Sequence, residues 1–477
     1  MTQPLPKTPP PAAAADDGLE VTLYEVRKKI YPRAVSGILA NWRLALVVIT
    51  QLVFYGLPWL VWNERQAVLF DLAHRKFYIF GIVFWPQDFI LLTGLLVIAA
   101  LSLFLFTAIA GRLWCGFACP QTVYTQMFLW IEEWVEGDRP RRMKLDQQPM
   151  GARKLRLKAT KHALWIALSL WTGITFVGYF TPIRELLGSV AALSLGPWEW
   201  FWVLFYGFAT YGNAGWMREQ VCKYMCPYAR FQSVMFDQDT LIVTYDYNRG
   251  EPRGSRGRSV DRQAKGLGDC VDCGICVQVC PTGIDIRNGL QYECIGCGAC
   301  VDGCNQVMDK MGYPRGLIRF STENVIKHRY ADQDIRRHVL RPRTLIYTAI
   351  LAAVIAAVAA TLYLRVPLKV NIIRDRATLV RETREGLLEN AYRIQIYNTA
   401  EQARRFTISA SGIDGLELAT DEPQPIEVAG ASSRTVSVRL LADPARARAG
   451  SQRVFFHVQA LEDEKVKTDE KSSFYAR

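Results

Sequence analysis

Twelve cysteines carry most of the chemistry that this sequence can perform, and all of them lie between Cys115 and Cys304. Eight form one block of two similar runs: Cys270, Cys273, Cys276 and Cys280, followed by Cys294, Cys297, Cys300 and Cys304. Each run has the spacing Cys-x2-Cys-x2-Cys-x3-Cys, and Pro281 follows the first. This spacing is typical of bacterial ferredoxins that bind two [4Fe–4S] clusters.

The two clusters should exchange their fourth ligands, because three closely spaced thiolates hold three irons of one cube and the fourth reaches the other cube. We therefore expect two interleaved ligand sets: Cys270, Cys273, Cys276 and Cys304 for the first cluster, and Cys280, Cys294, Cys297 and Cys300 for the second. Glycines between these cysteines would let backbone N–H groups approach the sulfides: Gly274, Gly296 and Gly298. A zinc ribbon would have two Cys-x2-Cys pairs and a longer spacer, so the spacing favours iron–sulfur clusters.

The other four cysteines occur in two similar segments, WCGFACPQTVYTQMF at 114–128 and VCKYMCPYARFQSVMF at 221–236. Each segment has a Cys-x3-Cys-Pro motif after an apolar run, which suggests an internal repeat. Proline suits the first position of a helix, so Cys119 and Cys226 are expected at helix N-caps, where the helix dipole favours thiolate. Soft thiolates suit Cu(I), zinc or an iron–sulfur cluster, whereas the simpler alternative is four small buried thiols. The candidate copper site consists of Cys115, Cys119, Cys222 and Cys226.

Apolar runs predict how these motifs are held. Five runs are long enough to cross a hydrocarbon core of about 30 Å, at about 44–62, 88–110, 162–181, 197–215 and 343–364. We therefore expect five transmembrane helices, of which the first four form two repeated hairpins and the fifth follows the cysteine block. The first 18 residues contain no apolar run, so they are expected to be a disordered tail and not a signal peptide.

Basic residues in the loops predict the orientation. Nine Lys or Arg lie in 111–160, against three in 63–87 and one in 182–196. By the positive-inside rule, the N-terminus, 111–160 and 216–342 are cytoplasmic, and the segment after the fifth helix lies on the other side. The net charge of +12 then reflects topology and anionic lipid, and no nucleic-acid motif accompanies it.

The C-terminal segment changes to strand-like alternation, in KVNIIR, AYRIQIYN, RFTISAS, RTVSVRLLA and QRVFFHVQA. This pattern predicts an immunoglobulin-like β-sandwich without a disulfide, acting in docking or as a passive cap. The expected fold class is thus a multidomain membrane protein with a ferredoxin insert and a β-sandwich. Its expected divisions are 1–40 (N-terminal tail), 41–248 (four-helix membrane region), 249–268 (Gly/Arg-rich linker), 269–320 (ferredoxin), 321–342 (connector), 343–364 (fifth helix) and 365–477 (β domain).

Other redox cofactors are not indicated. The five histidines include only one, His162, beside an apolar run, so a pair of axial ligands for an in-membrane haem is missing. No Gly-x-Gly-x-x-Gly motif follows a strand, which argues against a Rossmann domain for flavin or nicotinamide.

Together these parts resemble the cytochrome c oxidase accessory protein family CcoG, also called FixG or RdxA. The resemblance includes LYEVRKKIYPR at 23–33, both Cys-x3-Cys-Pro motifs, the eight-cysteine block and the β domain. It implies a bacterial inner-membrane protein with a periplasmic β domain that works with cbb3-type oxidase assembly factors. It also implies reduction of Cu(II) to Cu(I), which a copper-exporting ATPase would take.

Our hypothesis is that electrons from a cytoplasmic donor or a quinol enter the two clusters and pass to copper at the four membrane-proximal cysteines. Two alternatives remain. One is a quinol-oxidising ferredoxin module that feeds a periplasmic reductase, and the other is an assembly scaffold whose clusters are structural.

Overall fold

A computed structural model describes residues 29–262, 264–329, 331–375 and 379–476, so the predicted tail over residues 1–18 lies outside the described residues. The first half is helical: α1 (Ile38–Gly56), α2 (Phe89–Ala110), α3 (Leu113–Phe117), α4 (Pro120–Glu136), α5 (Arg139–Gln147), α6 (Ala152–Val177), α7 (Ile183–Ala191), α8 (Pro197–Thr210) and α9 (Pro227–Met235). Helix α8 continues into a π-helix, Tyr211–Met217, and a second π-helix covers Val221–Met225. π-Helical turns are rare and occur frequently at functional sites.

Three helical segments in the described part of the chain are long and apolar enough to cross a membrane: Ile38–Trp59, Pro86–Ala110 and Pro342–Tyr363. The expected runs at 162–181 and 197–215 are largely helical too, in α6 and in α8 with its π-helical continuation. Helix α6 begins with a basic stretch and α8 has only 14 residues, so neither has the composition and length of the other three.

A small β layer lies between α1 and α2, where no strand was expected: β1 (Val61–Trp62), β2 (Arg65–Gln66), β3 (Val68–Asp71), β4 (Lys76–Ile79) and β5 (Ile82–Phe84). Strands β3, β4 and β5 form an antiparallel sheet in that order. Aromatic and β-branched residues dominate these strands, which favours strand conformation, but each is too short to stand out in the sequence.

The cysteine block folds on a two-stranded sheet of β6 (Ile242–Tyr245) and β7 (Ile318–Ser321), which pair antiparallel. Its helices are α10 (Tyr247–Gly250), α11 (Ile275–Gln278), α12 (Ala299–Met311), α13 (Glu323–Ile326) and α14 (Ile335–Val339). The core between them contains Val243, Ile286, Met308 and Leu317 beside the cysteines.

The Gly/Arg-rich segment at 249–268 differs from the solvated hinge that its composition suggests. Arg256 donates hydrogen bonds to the carbonyls of Gly254, Gly268 and Cys270, and its guanidinium lies over the ring of Tyr313. Arg249 donates to Asp269 at 2.6 Å. Arginine side chains therefore hold this segment against the ferredoxin domain, because they satisfy backbone carbonyls that a free linker would expose.

After α15 (Pro342–Tyr363) the chain forms a two-sheet sandwich of β8 (Leu368–Arg374), β9 (Arg381–Glu382), β10 (Leu388–Asn398), β11 (Arg404–Ser411), β12 (Glu417–Thr420), β13 (Ile426–Val428), β14 (Ser432–Ala442), β15 (Gly450–Ala460) and β16 (Lys467–Ala476). One sheet has the order β12-β14-β10-β8, with β9 beside β10, and the other has the order β13-β11-β15-β16. Alternate residues such as Ile394, Phe406, Val436 and Phe456 fill the core. The predicted β-sandwich is confirmed, including the five strands located from sequence.

Candidate iron–sulfur centres

Two cavities in the ferredoxin domain separate the eight cysteines into sets. One cavity is lined by Cys270, Cys273, Cys276 and Cys304. The other is lined by Cys280, Cys294, Cys297 and Cys300, and Cys276 lines this cavity as well. Each predicted ligand set thus lines one cavity, with Cys276 lining both, and thiols around an apolar cavity fit the donor chemistry of a [4Fe–4S] cluster.

Positive-φ glycines shape both cavities. Gly274 (φ 64°) and Gly298 (φ 70°) are left-handed and precede the first residues of α11 and α12, while Gly296 has φ 67°. A side chain would strain this left-handed backbone. The two helices therefore begin at the cavities, with Cys276 and Cys300 in their first turns.

Burial keeps several of the cluster cysteines protonated without metal. Burial raises the pKa of Cys276 to about 11 and that of Cys304 to about 12. Burial also raises the pKa of Cys294 to about 12, although the backbone N–H of Gly296 acts in the opposite direction. Since iron binds thiolate, loading either site must release protons.

The four membrane-proximal cysteines come from four different elements. Cys115 lies in α3 and Cys222 in the second π-helix, while Cys119 and Cys226 are the N-caps of α4 and α9, each followed by proline. We call these four residues the cysteine tetrad.

The tetrad members lie near one another. Burial, together with negative charge on Cys119, Cys115 or Cys226, raises the pKa of Cys222 to about 12, although the charge of Arg112 lowers it. Burial also raises the pKa of Cys119, which outweighs the lowering by the N–H groups of Gln121 and Thr122. The helix N-terminus therefore does not make Cys119 a thiolate by itself, contrary to the expectation from its N-cap position.

The tetrad packs directly against the second ferredoxin cavity. A Cβ on Gly116 would lie 2.7 Å from both Cα and N of Cys297 and 2.8 Å from the carbonyl oxygen of Ile295. Cys115 and Cys222 share an apolar cluster with Ile295 and Cys297. The close contact with the backbone of Cys297 therefore requires glycine at position 116. This contact joins the membrane region to the ferredoxin domain.

Arg112 is a site residue that the sequence reasoning missed. It is 4% exposed, and its Nη1 donates a hydrogen bond to the carbonyl of Tyr292. Its Nε has no hydrogen-bond partner among the described residues. Burial raises the pKa of Cys115, whereas the charge of Arg112 and a hydrogen bond from its side chain lower it. The sequence did contain a signal for Arg112, because it is a basic residue at the end of an apolar run and shortly before a Cys-x3-Cys-Pro motif.

A second feature missed from sequence is a cavity of about 440 Å³ between α4, α6 and the first π-helix. Glu132 in its wall is 1% exposed and pairs with Arg218 at 3.1 Å, Arg142 at 3.3 Å and Lys161 at 3.7 Å. Burial opposes ionisation of Glu132, but these cations hold its pKa below the usual value. The wall of the cavity therefore contains a buried cluster of opposite charges.

Aromatic side chains line the same cavity. His162 is hydrogen-bonded to the hydroxyl of Tyr211 at 2.9 Å and stacks on Trp216 with 5.9 Å between ring centroids. His162 and Trp216 line the cavity together with Trp165. An amphipathic ring compound is the kind of ligand that such a wall accepts.

These observations define a membrane-associated iron–sulfur protein of the electron-transfer class, with ferredoxin-type sites and an immunoglobulin-like domain. The chain belongs to the FixG/RdxA family. Residues 358–477 match the model of the "IG-like fold at C-terminal of FixG", residues 217–323 a "4Fe-4S dicluster domain" and residues 92–142 a "4Fe-4S binding domain".

Three curated relatives align with most of this chain. Nitrogen fixation protein FixG of Rhizobium meliloti is 39% identical over 82% of this chain and 80% of its own length. Protein RdxB of Cereibacter sphaeroides is 39% identical over 88% of this chain and 89% of its own length. Protein RdxA of the same organism is 38% identical over 88% of this chain and 90% of its own length.

A solved structure of a FixG-related protein from Vibrio parahaemolyticus is 22% identical, covers 23% of this chain and 97% of its own, and has a TM-score of 0.21.

Proposed function

We propose that this protein is an iron–sulfur oxidoreductase that reduces Cu(II) to Cu(I) during assembly of a cbb3-type cytochrome c oxidase. Each reduced cluster would give one electron to one Cu(II) and return to its oxidised state, and a cytoplasmic donor or a quinol would reduce it again. The observation that supports this proposal most directly is the contact of Gly116 with Cys297, since it puts soft thiols beside an electron-transfer centre.

The proposed topology has five spans, with the ferredoxin domain in the cytoplasm and the β domain in the periplasm. The helical state of 162–177 and 197–217 supports the third and fourth spans, and the basic residues of 111–160 support the orientation. In this arrangement reduction occurs on the cytoplasmic side, where a copper-exporting ATPase could take Cu(I).

The test is copper reduction by anaerobically purified full-length protein. The protein is reduced with dithionite, desalted and mixed with Cu(II) and a chromogenic Cu(I) chelator. Wild type should form the Cu(I) complex while its cluster absorption bleaches back to the oxidised spectrum. Replacement of all four tetrad cysteines by serine should slow this reaction at least tenfold, whereas the exposed Met225→Leu, as matched control, should leave it unchanged. An equal rate in the four-serine variant would exclude the tetrad from copper reduction.

The aromatic and charged cavity favours quinol oxidation as a second candidate function. Oxidation of a quinol releases two electrons and two protons, so its site needs both an electron acceptor and groups that accept protons. His162, Asp146 and Glu219 line the cavity, and Arg218 and Glu219 also line a smaller cavity that reaches Cys222 and Ile295. These contacts support a route from the proton-accepting groups toward Ile295, which also lines the cavity of the second cluster.

Quinol-dependent cluster reduction tests the second candidate function. A short-chain quinol added anaerobically to oxidised protein should bleach the cluster absorption if the cavity is a quinol site. Trp216→Ala, which removes a cavity wall that is itself 55% exposed, should raise the quinol concentration needed for half the effect. Exposed Trp134→Ala is the control, since Trp134 does not line this cavity. No bleaching in wild type would reject the quinol function.

A further inference from the structure

We propose that two arginines of the membrane region, Arg43 and Arg112, raise the reduction potential of the second ferredoxin cluster and so draw electrons toward the membrane. Both are positioning residues, since they act through their charge and are not cluster ligands. The inference rests on the electron-transfer function proposed above, and it needs the ferredoxin centres but not copper as the substrate.

Arg112, between α2 and α3, is buried against the loop that carries two predicted ligands of the second cluster. Its Nη1 donates a hydrogen bond to the carbonyl of Tyr292, two residues before Cys294. A Cβ on Gly296 would lie 3.3 Å from both the carbonyl carbon and the carbonyl oxygen of Arg112. The arginine therefore contacts the loop between Cys294 and Cys297 with its backbone as well as with its side chain.

Arg43, in α1, approaches the same centre from another helix. It lines one cavity with Pro281 and Ile295, and a second cavity with Pro281 and Ala299. Each of these three residues is next in the chain to a predicted ligand of the second cluster. The charge of Arg43 also lowers the pKa of Cys297, which burial raises. Two separate parts of the membrane region thus each place one guanidinium beside this centre.

The charge of these two arginines is not compensated by the protein. Among the described residues, no carboxylate lies within 4.0 Å of the guanidinium nitrogens of Arg43 or Arg112. The Nε of each is buried and has no hydrogen-bond partner in the same part of the chain. A cation that is removed from water without an anion is costly. A [4Fe–4S] cluster with four thiolates carries net negative charge and would supply the missing anion.

The first centre has a cation of a different kind. Arg287 lines its cavity, but this arginine pairs with Asp272 at 2.5 Å and with Asp285 at 2.7 Å. The two carboxylates offset the charge of the guanidinium, and all three residues belong to the ferredoxin domain. Of these three arginines, only the two from the membrane region leave positive charge uncompensated.

The uncompensated charge acts on the reduced state. An added electron makes a cluster more negative, so a fixed cation nearby lowers the free energy of the reduced form and raises the reduction potential. Because both cations lie outside the ferredoxin domain, the second cluster has the raised potential only while that domain is docked. Docking therefore favours the electron on the centre that faces the membrane region.

Redox titration of anaerobically purified full-length protein, followed by electron paramagnetic resonance, tests the inference. The double variant Arg43→Gln/Arg112→Gln should shift the midpoint of the second cluster to a lower potential and leave that of the first unchanged. Each single variant should give a smaller shift. A Cys273→Ala background, which removes a ligand of the first cluster, identifies the [4Fe–4S] signal of the second. Exposed Arg153→Gln is the matched control and should change neither midpoint.

Lysine variants separate charge from shape. Arg43→Lys and Arg112→Lys keep the cation, so the second midpoint should stay close to that of wild type. If the glutamine variants fail to load the second cluster, the lysine variants decide: loading with lysine supports the inference, and failure with lysine as well would show that the shape of the guanidinium matters and not its charge. An unchanged second midpoint in the double glutamine variant, or an equal shift in both clusters, would overturn the inference.

These titrations contain no copper, so they are independent of the copper assay. The expected shift in a protein that does not reduce Cu(II) would reject the proposed copper function and leave the role of the two arginines standing. Normal copper reduction with an unchanged second midpoint in the double glutamine variant would reject this inference alone.

Discussion

Asp302 in α12 accepts a hydrogen bond from the backbone N–H of Ala40 in α1, with 2.8 Å between Oδ2 and N. The other carboxylate oxygen accepts from the N–H of Leu39 at 3.4 Å. A buried carboxylate of the ferredoxin domain therefore caps the first apolar helix of the membrane region. Capping groups satisfy N–H donors that the first helical turn leaves unpaired, so this contact ties the two domains together.

Loss of this cap should loosen the domain junction. Asp302→Ala removes both acceptors and should cost about 0.5–2 kcal/mol, the usual range for an N-cap. Amide hydrogen exchange at Leu39 and Ala40 should become faster in the full-length protein. Asp302→Asn keeps an acceptor oxygen and should show a smaller effect. Unchanged exchange in the alanine variant would mean that the junction does not depend on this cap.

Gly116 should not tolerate a side chain. In Gly116→Ala the new Cβ would meet backbone atoms of Cys297 at 2.7 Å, and backbone cannot move aside as a flexible side chain can. We expect weaker docking of the ferredoxin domain and slower electron transfer toward the tetrad, measured by reoxidation kinetics after rapid mixing with Cu(II). Gly151→Ala is the control, since a Cβ there meets nothing within 4 Å. Equal kinetics in both variants would argue against electron transfer across this contact.

Glu132 should be essential for the buried charged cluster in the wall of the 440 Å³ cavity. Glu132→Gln leaves buried Arg142, Lys161 and Arg218 without their shared carboxylate, which should destabilise the protein by about 3–5 kcal/mol. Thermal unfolding in detergent would show the loss. Exposed Glu185→Gln should leave the midpoint unchanged. A similar small shift in both variants would show that the cations are compensated in another way.

The Glu132 carboxylate should also make the stability of the protein fall at low pH. The folded pKa of Glu132 is below its usual value, so its contribution to stability is complete above the unfolded pKa of about 4.3. That contribution is lost as the pH falls through the folded pKa. Stability measured from pH 7 downward should fall less steeply below about pH 4.3 in Glu132→Gln than in wild type. If stability fell equally steeply with decreasing pH in both proteins, other carboxylates would cause the loss of stability in acid.

Asp88 should hold the β-sandwich against the layer between α1 and α2. It is 8% exposed and pairs with Arg365 at 2.8 Å and Lys369 at 2.5 Å. Asp88→Ala leaves two cations at the junction, so trypsin should cleave near Arg365 faster than in wild type. Asp71→Ala in the same layer, whose partner His74 is exposed, is the control. Equal cleavage would indicate that Trp85 and Tyr397, which also pack there, are sufficient.

Local patterns were readable from sequence, and contacts between distant segments were not. The spacing of Cys270–Cys304 and the alternation in β10 or β14 lie within short windows, so they predicted the ferredoxin domain and the sandwich. Arg112 contacts Tyr292 and Glu132 contacts Arg218, and these partners are far apart in the sequence. No local pattern near either residue predicts such a pair. The five short strands after α1 were missed for a related reason, since two to four residues contain too little periodicity.

The contact between Gly116 and Cys297 also sets an order for biogenesis. Cys297 is 7% exposed in the folded protein, beneath α3. Proteins that deliver iron and sulfide need access to that thiol, and they have it only while the ferredoxin domain stands away from the membrane region. Maturation should therefore begin with a separately folded, cluster-loaded domain and end with its docking, which makes the docked form a sign that loading is complete.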